Sequence, residues 1–568
     1  MMDKRALLAI ALTFLVIFFW GAIQSKFFPQ PPDDQPKKEE VVPAEKREIK
    51  PLKEEGPVSQ PRAIIKKETS VETKNYMAVF TNEDARLKHF KLKQYEDRVE
   101  ESSVTIKMIR FFKNLFGGKI EEPKKPKPLD LVNTNEEEGL PLRLIFQPSP
   151  GNGGWEVDKE KLRVLNEGDK GEVIFSKTLD NGLKLLKKYK FYSENNVIDI
   201  EVEVQNATSN EISAQLGLEW IGKVELEKFA DHENKDFGLK YAFMKDQKVE
   251  RKDIGGLGAA GCTPGCGTPN RKLEPFESSD QGAIGWYAFE GEYFTALLVP
   301  PSSEKNILLS VKGNDNNILK AQLTAPPISL RPKENIRTTY RIYMGPKVMD
   351  PLKELGVGAE SLIDFGFFTI VAKPLLWFLK LTNNVTKNFG IDIIILSILI
   401  KIIFLPLTQI SMKSMKEMQK VQPEMARLKE QFKNDKARVQ QEIMLLYKRR
   451  KINPMSGCLP MLIQIPVFIA LYNALQNSIE MRHAPFIFWI MDLSAKDPIY
   501  ITPIIMGATM VLQQKMTPTT ADPAQARIFM LMPIMFTFLF LNFPSGLVLY
   551  WMVTNILSIA HQYYMNKQ

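Results

Sequence analysis

A lysine, Lys401, stands inside the apolar run Ile393–Leu407, IIILSILIKIIFLPL, which otherwise reads as a helix for the interior of a membrane. A charge at mid-bilayer costs about 2.5–3.5 kcal/mol on insertion scales, so such a residue faces a partner, a cavity or water. No carboxylate accompanies it within that run, and Ser397 lies one helical turn earlier. Hydroxyl and ammonium therefore share one helical face. The pair predicts a polar cavity inside the membrane with a cation in its wall. The plainer alternative is a lysine that snorkels to the interface or pairs with a distant acid. A Ser–Lys nucleophilic dyad is a third chemistry open to these residue types. The apolar surroundings, with no oxyanion-hole sequence nearby, argue against it.

Other chemistry is thin. There is no GxxxxGK[ST] phosphate loop and no HExxH, so neither nucleotide hydrolysis nor zinc catalysis is expected. The four histidines, His89, His232, His483 and His561, are scattered, and three cysteines make no disulfide framework. Cys262 and Cys266, in the loop GCTPGCG, could bridge each other if that loop is extracytoplasmic, while Cys458 reads as a small packing residue. The sequence thus predicts no metal, no cofactor and no enzyme.

The elements that must position Lys401 emerge from an uneven distribution of apolar residues. Across the 568 residues the charged fraction is 25%, which averages over a polar middle and apolar ends. Residues 1–23, MMDKRALLAIALTFLVIFFWGAI, predict an uncleaved transmembrane anchor, because no small-residue cleavage site follows the run. Residues 24–72 are rich in Pro, Lys and Glu and predict a flexible linker. Residues 73–348 carry recurrent strand signals, clearest in Val197–Val204, VIDIEVEV, and predict an antiparallel sandwich with a flexible insertion at 105–140. Residues 362–381 predict an amphipathic helix lying in the membrane interface. Spans follow at about 390–410, 456–477, 499–514, 526–542 and 546–563, the last two joined as a tight hairpin. With the anchor these make six.

Charge fixes orientation. Residues 411–451 carry twelve basic and five acidic side chains, whereas 480–497 carry two basic and three acidic ones. The positive-inside rule puts 411–451 and the N-terminus in the cytoplasm and the strand-rich domain outside. Apolar positions spaced by three, four and seven make 411–451 a basic helical hairpin, with its turn at Asn434-Asp435. Such a hairpin offers either a self-packed, solvated face or a docking surface for an anionic partner such as ribosomal RNA or lipid headgroups.

Several segments together carry a specific resemblance: GCLPMLIQIPVFIALYNAL at 457–475, APFIFWIMDLSAKDPIYITPIIMG at 484–507, QKMTPTT at 514–520, FPSGLVLYW at 543–551, TNEDARLKHFKLKQY at 81–95 and IYMGPK at 342–347. The chain resembles the YidC/Oxa/Alb family of membrane protein insertases in its Gram-negative form. The resemblance implies an α-helical polytopic protein of six spans, with a five-helix insertase core at 390–566 and an all-β periplasmic β-supersandwich domain. That domain's fold is similar to sugar mutarotases, without implying sugar chemistry. It implies a hydrophilic groove, open to cytoplasm and lipid, with Lys401 where relatives mostly carry arginine, Ser397 on its wall, and Gln464, Tyr550 and Trp551 lining it. Ile465 and Pro466, facing Phe536 and Phe540, are implied as the apolar slide for substrate helices. Nascent membrane proteins are the implied substrates. The Sec translocon, membrane lipids, and the ribosome and signal-recognition machinery at 411–451 are the implied partners, in the bacterial inner membrane. A polytopic transporter with Lys401 at an anion site is the alternative, and the chain lacks the internal symmetry it would show.

Overall fold

The computed structural model describes residues 66–99, 106–111, 125–147, 154–224, 240–253, 273, 275–302, 304–433, 435–450, 459–516 and 523–567. The anchor at 1–23, most of the linker, and Cys262, Cys266 and Cys458 lie outside the described residues.

Strands come first along the chain. They form sheets of five, nine and six strands whose inner faces supply a single apolar core, including Val71, Phe80, Tyr189, Val202, Leu216, Leu309 and Leu323. Folding starts earlier than the linker reading allowed. Glu68–Thr73 pairs antiparallel with Tyr76–Thr81 and parallel with Lys161–Val164, because Val71 and Thr73 supply the alternating buried side chains a strand needs. The insertion is shorter than expected, since Leu129, Leu131 and Leu140 are buried and Pro128–Asp130 is a strand.

Val197–Asn206 sits centrally in the nine-stranded sheet, between Leu183–Tyr192 and Asn335–Pro346. Its alternating acids, Asp199, Glu201 and Glu203, are consequently buried rather than solvated. Cross-strand cations make this tolerable. Lys190 donates to Glu201 at 2.7 Å, Lys188 bridges Glu201 and Glu203, and Arg341 donates to Asp199 at 2.7 Å. Hydrogen bonds from Gln205 and Lys188 hold the Glu203 carboxyl down at about 2 against the opposing effect of burial.

The helices that follow are α1 (Met349–Glu354), α2 (Thr369–Thr386), α3 (Phe389–Ile403), α4 (Leu405–Lys420), α5 (Gln422–Gln431), α6 (Lys436–Arg449), α7 (Leu459–Gln476), α8 (Ile501–Met516), α9 (Pro523–Phe540) and α10 (Ser545–Lys567). Leu352 and Leu355 of the α1 segment pack on Trp286, Leu297 and Tyr343, covering the sheet's second face. The interfacial helix begins at Thr369 rather than 362, because Gly366 takes φ +70° just before it, and ends at Thr386 where Lys387 turns left-handed. Its Ala372 and Leu379 are buried, while Phe367 just ahead of it and Ile370, Trp377 and Val385 are exposed.

The expected continuous span at 390–410 is broken. α3 and α4 meet at Phe404 with a bend of 60°. Pro406 lacks an N–H and crowds the carbonyl four residues back, so the helix yields just ahead of it. Among the described residues no single helix is long and apolar enough to cross a membrane by length and composition, although α3 and α4 pass together as a bent pair. α3 and α9 both pack toward partners set by small residues: a Cβ on Gly390 would fall 2.0 Å from the Phe486 ring, and one on Gly507 of α8 would fall 2.0 Å from Thr537 Oγ1 of α9.

In the basic segment, Asp435 caps α6 by accepting from the Arg438 amide at 3.0 Å. Tyr447 Oη donates to the Met425 sulfur at 3.3 Å, and Arg450 pairs with Glu424, closing α5 against α6. Pro423 divides the first arm of the hairpin into α4 and α5.

Candidate substrate groove

Lys401 lies in the last turn of α3, two residues before its end at Ile403. Its Nζ donates to Ser558 Oγ of α10 at 2.7 Å. No acidic side chain pairs with it among the described residues. The nearest acid on its own helix, Asp392, is nine positions away, about 14 Å along the axis. There it is occupied by Asn383 Nδ2 at 2.8 Å and Thr386 Oγ1 at 2.7 Å. An ammonium has three donors, and one is used among the described residues. That is a cation held in place with capacity to spare.

Ser397 does not complete this pair. Its hydroxyl donates to the Ile393 carbonyl at 2.7 Å and the residue is buried, as serine in an apolar helix commonly is. The hydroxyl that meets Lys401 is instead on α10. Ser558 Oγ donates to the Thr554 carbonyl while accepting from Lys401, and Thr554 Oγ1 donates to the Tyr550 carbonyl. Gln464 Nε2 of α7 donates to Tyr550 Oη at 2.7 Å, which brings two of the expected groove residues into direct contact. Tyr550, Thr554 and Ser558 recur every four positions and share one face. That repeat was visible in the sequence, and Thr554 and Ser558 went unnoticed there.

Trp551 belongs elsewhere. Its ring stands edge-on to Phe468 at 5.1 Å, stacks on Phe536 at 6.1 Å and lies 5.3 Å from Phe540. It therefore joins the slide residues, with Phe468 added, rather than Tyr550. Its indole N–H is buried without a partner among the described residues. Ile465 and Pro466 lie on α7 beside Gln464, and Pro466 leaves the Leu462 carbonyl without an intrahelical donor. The helices are fixed by polar ties: Asn555 reaches Thr509 of α8 at 3.4 Å, and Gln562 donates to the Met516 carbonyl at 2.7 Å.

The other end of the bundle is closed by the turn after α7. Ile479 inserts into the strand domain's core. Arg482 donates to the Glu96 carbonyl at 2.7 Å and lies 5.3 Å over the Phe294 ring. Lys380 of α2 pairs with Glu480 at 2.5 Å. Although burial pushes the Glu480 carboxyl upward, hydrogen bonds from Lys380 and Ser478 outweigh it and hold the group low. Burial, reinforced by the Arg482 charge, keeps the neighbouring His483 neutral with its pKa down at about 3. The tip between α9 and α10 is tied to this side too, with Ser545 Oγ donating to the Asp492 carbonyl at 2.8 Å and Ser545 N to Ala495 at 2.7 Å.

A strand-rich domain thus adjoins an apolar helical bundle in which the Lys401 ammonium meets the Ser558 hydroxyl. Sequence comparison gives the family. Residues 381–568 match the 60Kd inner membrane protein family and residues 119–378 the YidC periplasmic domain. The chain is 39% identical to the membrane protein insertase YidC of Syntrophus aciditrophicus (strain SB), covering 100% of both chains. It is 38% identical to that of Geotalea daltonii, covering 100% of this chain and 99% of the relative. The solved structure of an active YidC insertase with its first transmembrane domain resolved aligns over 88% of this chain and 92% of its own, at 19% identity and a TM-score of 0.36. The assignment rests on the sequence matches alone. This chain belongs to the YidC family of membrane protein insertases. It is an insertase of the inner membrane with a periplasmic domain, not an enzyme, and its substrates are nascent membrane proteins.

Proposed function

We propose that the chain inserts membrane proteins by drawing a hydrophilic segment of the substrate into a groove between α3, α7 and α10 that opens to the cytoplasm. Lys401, Gln464 and Tyr550 contact that segment, with Ser397 in the wall behind them. Carrying such a segment through hydrocarbon strips water from backbone and side-chain polar groups, at several kcal/mol for each group left unpaired. A wet groove reaching partway across shortens the path. Lys401 attracts acidic or polar parts of the segment as a point charge, without the bidentate fork an arginine would offer. The substrate's apolar helix slides past Ile465, Pro466, Phe536, Phe540 and Trp551 into lipid, and its partitioning draws the reaction forward without nucleotide.

In this reading the chain has six spans, five of them forming the core and α3–α4 being one bent span. The N-terminus is cytoplasmic and the strand domain is a β-supersandwich that scaffolds the outside. The basic hairpin at 411–451 receives ribosome or signal-recognition machinery, the Sec translocon acts beside the core for some substrates, and Cys262 and Cys266 are free to bridge in the periplasm.

The observation that carries the reading is the single hydrogen bond from Lys401 to Ser558, in an apolar helix with no acidic partner among the described residues. A small-anion transporter would use the same cation, but the family matches favour the insertase. The test is a charge series in a strain depleted of its own insertase. Lys401→Arg should sustain insertion, Lys401→Ala should retain it for weakly charged tails, and Lys401→Glu should abolish it for acidic ones. Wild-type insertion by the Glu variant would refute the groove cation.

A further inference from the structure

One titratable group in the bundle has no assigned part. His561 lies on α10 one turn beyond Ser558, the residue that accepts from Lys401. Both of its ring nitrogens are shielded from solvent, and neither has a hydrogen-bond partner among the described residues. Lys401 is the charged group close enough to act on the ring. A neutral imidazole carries one donor and one acceptor, and a buried polar group left wholly unpaired calls for an explanation.

Its place along the helix supplies one. Tyr550, Thr554, Ser558 and His561 fall within a single arc of about 80° on an ideal helix and span eleven positions, about 16 Å. That is about half of a hydrocarbon core. The Tyr550 end is closed by Gln464 and by the ties of Ser545 to the outer turn. At the other end Lys416 of α4, in the basic segment, donates to the Met565 carbonyl. His561 is thus the first member of the stripe met from the basic side, and Lys401 with Ser558 the second. The two offer different chemistry. Lys401 only donates, and Ser558 and Thr554 have already given their protons to backbone carbonyls. At the end of the stripe nearer the basic segment, among Lys401, Thr554, Ser558 and His561, it is His561 that can both accept an N–H and donate to a C=O.

We propose that His561 is a substrate contact at the mouth of the groove, binding the amides of uncharged hydrophilic segments while Lys401 binds carboxylates. This rests on the groove reading above. It divides substrates into two classes, amide-rich tails that depend on His561 and acidic tails that depend on Lys401.

The test uses the full chain in liposomes with two substrates sharing one apolar helix, one with a Ser/Gln tail and one with an Asp-rich tail. His561→Phe keeps the volume and removes both nitrogens, and His561→Gln keeps a donor and an acceptor. The Phe variant should slow insertion of the Ser/Gln tail about fivefold, the loss of one net hydrogen bond, and change the acidic tail less than about twofold. The Gln variant should restore the first. Equal loss on both tails, no loss on either, or failure of Gln to restore would overturn the proposal. Lys401→Glu run beside them separates the two ideas: normal insertion of the acidic tail by that variant defeats the groove itself, whereas its loss with an unaffected Phe variant defeats only the role of His561. Should the Phe variant not fold, His561→Cys with Cys262, Cys266 and Cys458 changed to Ser reads position directly. Disulfide capture of a single cysteine in the Ser/Gln tail supports the contact, and capture only of one in the apolar helix overturns it.

Discussion

Two lysines stand among apolar side chains, one in each half of the molecule, Lys187 buried and Lys401 half-buried, and they are treated differently. Lys187, in the strand Leu183–Tyr192, is fully enclosed. Its ammonium donates to the Ala85 carbonyl at 3.0 Å and to that of Leu142, and lies 5.1 Å over the Tyr189 ring. Burial pushes its pKa down to about 7. Among the described residues Lys401 has one hydroxyl for a partner and two donors to spare. The same contrast holds for the carboxylates. Glu201 and Glu203 are paired with Lys188, Lys190 and Arg337 across the sheet, while no acidic side chain pairs with Lys401 among the described residues. A satisfied buried charge holds a fold together. One left open is available to something else.

Breaking that contrast on the helical side should give the largest effects. Deleting Phe432–Lys436, the turn into α6, should leave a stable membrane protein whose insertion rate falls severalfold, because the docking face is lost while the bundle is untouched. Unchanged insertion in a pulse-labelled assay would return 411–451 to the solvated-face alternative. The junction between the halves comes next. Arg482→Ala removes a buried charged hydrogen bond to Glu96 and the contact with Phe294, and should cost about 1.5–3 kcal/mol of thermal stability. Removing residues 75–340 while keeping 362–381 should expose Ile479 and lower the melting temperature, yet preserve insertion of one- or two-span substrates. Complete loss at normal expression would mean that the strand domain takes part in the reaction.

On the strand side the expected effect is a slope. Folded Lys187 gives up its proton near pH 7 and an ordinary lysine near 10.5, so between these values the unfolded chain holds the additional proton. Stability should therefore rise with pH across that window, by at most about 1.4 kcal/mol per unit, and Lys187→Met should flatten the rise. An unchanged slope in that variant, read by thermal melting of the full chain, would show that Lys187 is not the group responsible. The smallest effect is expected from Cys262→Ser/Cys266→Ser. Any bridge would close a very short loop and add little stability, and substrates should insert normally.

How much was legible depended on whether a signal was local. The charge at Lys401 inside its apolar run and the basic hairpin with Asp435 at its turn followed from composition and local spacing. Ser397 was an attractive partner for the same reason, and it fails because a serine inside a helix can satisfy itself on its own backbone. Ser558 lies 157 positions away and could be found only by knowing that α3 and α10 touch. The resemblance grouped Trp551 with Tyr550 as an aromatic pair, although neighbours on a helix point about 100° apart and these two face different clusters. The bend at Phe404 was written in Pro406, but the uniform hydropathy of the run concealed it. The burial of Glu201 and Glu203 depended on strands nearly 140 residues apart meeting in one sheet.

The central claim is that the free valences of Lys401 hold the substrate's polar segment by charge, and a reversal of both charges tests it most directly. Lys401→Glu should fail with an acidic-tailed substrate and recover when the tail's Asp residues are changed to Lys, while the wild-type chain shows the opposite preference. If the Glu variant fails equally with both tails, or inserts both like the wild type, the attraction between Lys401 and the substrate is not what drives entry into the groove.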